Sequence, residues 1–62
     1  MKIWLVTFSA FGIPLDAVVV APNYGTAVTM LKLTADERLR DAVEIGVATG
    51  DETPRIVTED RI

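Results

Sequence analysis

Apolar and polar positions change period several times along this chain, and each change predicts an element. Ile3 and Leu5 on one side, with Trp4, Val6 and Phe8 on the other, make a segment that is apolar on both faces, which predicts an interior strand over Ile3 to Phe8. Gly12 and Pro14 mark Ala10 to Pro14 as a hairpin loop, after which Leu15 to Ala21 resumes as a valine-rich strand pairing antiparallel with the first. Pro22-Asn23 ends that strand, and the Asn23 side chain can accept a hydrogen bond from a first-turn amide. Tyr24, Ala27, Val28 and Leu31 then recur at helical spacing, so the reading places a helix within Tyr24 to Leu33. Gly25, Thr26, Val28 and Thr29 are poor helix formers, and packing must hold it.

Thr34 and Glu37 have capping-box spacing, so Ala35 to Arg40 reads either as a separate short turn or as an extension of the helix. Val43, Ile45 and Val47 alternate with Glu44, Gly46 and Ala48 as a strand, Gly50 to Pro54 supplies a turn, and Arg55 to Thr58 is a last short strand. The expected fold is a single α+β domain over residues 1–62, ββαββ. Its four-stranded antiparallel sheet would run in the order 2-1-3-4 with the helix on one face. One helix cannot cover both sides of four strands. Either some of Trp4, Val6 and Phe8, or else Ile3 and Leu5, must line a face that the chain leaves open, and such a face points to a partner.

Composition narrows the chemistry. The 62 residues contain no cysteine and no histidine, which removes disulfides, thiolate metal sites and the commonest general base. A core this small yields only about 3–5 kcal/mol, so oligomerisation or partner binding is the natural supplement. The formal charge is −3, with acids gathered in the second half, and neither nucleic acid nor an anionic membrane is attracted by such a balance. Pro14 and Asp16 interrupt the longest apolar stretch, and the Met1-Lys2 start reads as a strand rather than as a leader, so the expectation is a cytoplasmic protein without a membrane segment.

Candidate sites are weak in catalytic terms. Asp36, Glu37, Asp41 and Glu44 are the densest acids, yet Arg38 and Arg40 lie among them and calcium-loop spacing is missing, so no metal or cofactor is expected. Glu44 with Glu59, or Asp51 with Glu52, would be nominal acid–base pairs, but a domain of this size can hardly enclose the pocket they need, and the reading is non-enzymatic. Base stacking on Trp4, Phe8, Phe11 and Tyr24 lacks a basic groove, so direct nucleic-acid binding is not expected. Trp4 and Phe11 are candidate interface anchors, since large rings dominate binding hot spots.

Three stretches carry a resemblance: Met1-Lys2-Ile3-Trp4-Leu5-Val6-Thr7, Val18-Val19-Val20-Ala21 running into a helix, and Ile45-Gly46-Val47-Ala48 followed by Ile56-Val57. In these the chain resembles short proteins encoded by bacteriophages and prophages, of the type of anti-CRISPR proteins and other host-defence inhibitors. The resemblance implies a viral protein in the cytoplasm of a bacterial host that binds and blocks a host protein or nucleoprotein complex. The contacts would come from Trp4, Phe11, Glu44, Asp51, Glu52, Glu59 and Asp60. The alternative is a structural or assembly module, a homodimer or part of a larger phage complex.

Overall fold

A computed structural model describes residues 1–50 and 53–61. The elements run β1 (Lys2–Ala10), β2 (Ile13–Ala21), α1 (Tyr24–Met30), β3 (Glu37–Val47) and β4 (Arg55–Glu59). All four strands form one antiparallel sheet with the single helix against one face.

β1 is interior, as its two apolar faces require, and pairs with β2 on one side and β3 on the other. The hairpin loop is shorter than Ala10 to Pro14. Only Phe11 and Gly12 lie outside the strands, at φ 53° and 79°, the two positive values of a type I′ turn, whose twist matches the strands it joins.

The position of the fourth strand differs from the expected order 2-1-3-4. The sheet runs β3-β1-β2-β4, so β4 lies against β2 and not against β3. Burial explains the choice: Val19 and Val20, adjacent and therefore on opposite faces, are 0% and 2% exposed, the mark of an interior strand. β3 carries Arg38, Arg40, Asp41 and Glu44 and two register irregularities, both means of guarding an edge against further pairing. Crossing from β3 to the far side of β2 spans three strand spacings, about 14 Å. Residues 48–54 reach that far with ease, since an extended chain covers about 3.3 Å per residue.

β3 also begins earlier than Val43. Thr34 and Glu37 do bond, with the Thr34 N–H donating to Glu37 Oε1 at 2.9 Å and the Glu37 N–H donating to the Thr34 carbonyl at 3.0 Å. These bonds close a turn that delivers the chain directly into β3, and neither a second helix nor an extension of α1 forms. The β1 residues Phe8, Ser9 and Ala10 need ladder partners, and Leu39, Arg38 and Glu37 supply them.

α1 starts where Asn23 predicts: its Oδ1 accepts from the Thr26 N–H at 2.9 Å. The helix stops at Met30, shorter than the apolar spacing suggested, because Lys32 adopts φ 49°, a left-handed conformation that ends the helical run. Ala27 and Leu31 are buried against Trp4, Val6, Phe8, Ala17, Val19, Ala21 and Ala42, and no polar residue among the described ones is buried with them.

Candidate functional site

Side-chain alternation decides which face is open. Trp4, Val6 and Phe8 point under the helix, so Ile3, Leu5, Thr7 and Ser9 line the face that has no covering layer among the described residues. Registers extend that face across the sheet in four rows. The first is Gly46, Ile3, Val20 and Arg55, and the second Val43, Leu5, Val18 and Thr58. The third is Asp41, Thr7 and Asp16, and the fourth Arg38, Ser9 and Pro14.

The first two rows form an aliphatic patch. Val20 is buried between its neighbours, Ile3, Leu5 and Val18 are half-buried, and Val43 is 49% exposed. Ile3 leans over Gly46, where an added Cβ would lie 3.6 Å from Ile3 Cδ1, an ordinary contact. At the third row the chemistry changes to carboxylates. Asp41 Oδ1 accepts from the Ala42 N–H at 2.8 Å, and Asp16 is tied to Asp60 by two bonds of 3.0 Å, one to a carboxylate oxygen and one to the Asp16 carbonyl. None of Asp16, Asp41 and Asp60 has an ion-pair partner among the described residues.

The expected contact residues are not gathered on this face. Trp4 is 8% exposed and belongs to the core: its Nε1–H donates to the Ala21 carbonyl at 3.1 Å, and its ring meets Tyr24 edge-on at 6.2 Å. It therefore offers no surface anchor. Glu44 lies opposite Trp4 at the sheet edge and pairs with Lys2 at 3.3 Å, which is a weak exposed bond. Asp51 and Glu52 lie outside the described residues. Phe11 is 80% exposed at the hairpin tip, beside Ile13 at 61%, and both line a shallow groove of about 430 Å³ with Leu15 and Arg61.

Glu59 serves the domain's own stability. The Arg61 guanidinium donates to Glu59 Oε2 at 3.0 Å, to Glu37 Oε1 at 2.8 Å and to the Leu31 carbonyl at 2.7 Å, joining the end of the chain to α1 and β3. The Thr34 N–H, and after it Arg61, hold the Glu37 carboxyl below its ordinary range. Glu59 and then Glu37 push the Arg61 guanidinium upward. Of the five expected residues that are described, Trp4, Phe11, Glu44, Glu59 and Asp60, only Asp60 borders the open face. Val18, Val43, Asp16 and Asp41 were missed, although reading each strand against β1 in register would have found them.

Among the described residues no group of three or more acidic side chains is placed to hold a metal ion, and no helix is long and apolar enough to cross a membrane. Fold and face together describe a small two-layer domain, one helix on one sheet, with the other face of the sheet uncovered by the described residues. The chain matches no protein-family model, no curated protein and no solved structure.

Proposed function

We propose that this protein acts by contact and not by catalysis, binding a partner protein through the open face of its sheet and blocking that partner, in the manner of the phage-encoded inhibitors it resembles. The partner class is a host protein or nucleoprotein complex in the bacterial cytoplasm. One observation carries this reading: Ile3, Leu5, Val18 and Val43 stand side by side, partly exposed, on a sheet face that the described residues do not cover. Covering such a patch returns roughly 25 cal/mol for each Å² of apolar surface removed from water.

The test is affinity capture from a bacterial lysate with the wild-type chain and a Val43→Asp variant. Val43 is half exposed on an edge strand, so this change leaves the core intact. A partner held by the wild type and lost by Val43→Asp supports the reading. A partner held equally by both, or none at all, sinks it. Light scattering covers the alternative, assembly of two copies through the same face: a doubled mass that Val43→Asp returns to a monomer favours the structural module.

A further inference from the structure

We infer that the segment received by the open face is both aliphatic and basic, a strip of Leu, Ile or Val side chains flanked on one side by Lys or Arg. This inference rests on the reading of that face as the binding surface and adds its chemistry. Along β1 the face turns from aliphatic at Ile3 and Leu5 to acidic at Thr7, where Asp41 and Asp16 stand on either side. The change takes a single step of two residues, about 7 Å.

Asp60, bonded to Asp16, prolongs the acidic row to three carboxylates, none ion-paired among the described residues. The two arginines of the face stand at opposite corners, Arg55 in the first row and Arg38 in the fourth. An apolar strip laid on the first two rows therefore meets negative charge along one flank. Cations there lower the cost of desolvating Asp16 and Asp41, whereas anions raise it.

Charge also counts against two other placements. A second copy turned about an axis along the strands sets Asp41 of each chain over Asp16 and Asp60 of the other, like against like. A nucleic acid would bring its phosphates to the same row.

The probe is a helical peptide of about 15 residues with a leucine stripe bordered along one side by lysine, compared with its leucine–glutamate counterpart at equal hydrophobicity. Both are titrated into the isotopically labelled full chain, and backbone amide shifts are followed. The leucine–lysine peptide moves the amides of Ile3, Leu5, Val18, Val43, Asp16 and Asp41, and binds about tenfold more tightly than its acidic counterpart. An Asp16→Asn, Asp41→Asn chain keeps its melting temperature, binds that peptide about fivefold more weakly and loses most of the salt dependence.

Equal affinity for the two peptides, binding by neither, or shifts confined to the helix side or the hairpin tip would overturn the inference. So would line broadening of the same amides without peptide, the sign of self-association. The two proposals fail separately. A partner captured through Val43 but insensitive to Asp16→Asn, Asp41→Asn ends the claim about charge alone, whereas capture insensitive to Val43 ends both.

Discussion

The guanidinium of Arg61 lies over the ring of Phe8, 5.5 Å from its centre, so the last described residue of the chain seals the floor of the core. Its three hydrogen bonds are shared between β4, β3 and the end of α1. Arg61→Ala removes all three and uncovers Phe8, and should cost about 1–3 kcal/mol in urea unfolding. Arg61→Lys should recover less than half, because an ammonium cannot reproduce the planar fork.

The Glu37 carboxyl supports that cluster only while ionised. Its folded value lies below the ordinary 4.5, so the unfolded chain takes up the proton first as pH falls. The contribution is complete above 4.5 and disappears as pH drops through the lower, folded value. Urea midpoints measured from pH 6 to pH 3 should fall more steeply for the wild type than for Glu37→Gln. Parallel curves would show that another carboxylate controls acid unfolding.

Trp4 is a core residue with a polar obligation to Ala21. Trp4→Phe deletes the Nε1–H donor to a buried carbonyl and leaves space beside Tyr24, for a loss of about 1–3 kcal/mol. In the wild type its fluorescence should resist iodide quenching whether or not the open face is occupied, since the indole lies on the other side of the sheet.

Phe11 takes the left-handed conformation at the first position of a type I′ turn, where asparagine or glycine is favoured. Phe11→Asn should raise stability by about 0.5–1 kcal/mol, which a melting curve of a domain this small registers as a few degrees. A lowered melting temperature would mean that the exposed ring contributes packing to the groove it shares with Ile13 and Leu15.

Local signals carried much of this architecture. The double-faced apolar run of β1, the Asn23 cap and the positive-φ requirement met by Gly12 each act within a few residues, and each is readable along the chain. The partner of β4 was harder, because a turn at Gly50 to Pro54 is compatible with a hairpin to β3 and with a crossing to β2. Val18-Val19-Val20 held the missing information: a run without polar alternation belongs inside a sheet, and β2 could not be an edge. The start of β3 was hidden by Thr34 and Glu37, whose spacing suits a helix cap and a strand-leading turn equally well. The open face emerged only when registers placed Asp16 and Asp41 on either side of Thr7, a relation between three strands that no single segment contains.

Because the first strand ends in the middle of the sheet and the last at its margin, the domain has an order of assembly written into it. The β1–β2 hairpin closes over two residues and costs the least chain entropy, while β4 must find Ala17 to Val20 across more than half the chain. Opening should run in the reverse sense. Backbone amides of Arg55 to Glu59 should exchange with deuterium at a lower opening free energy than those of Trp4 to Phe8, and the edge strand most remote from the hairpin in sequence becomes the point at which a protease first gains entry.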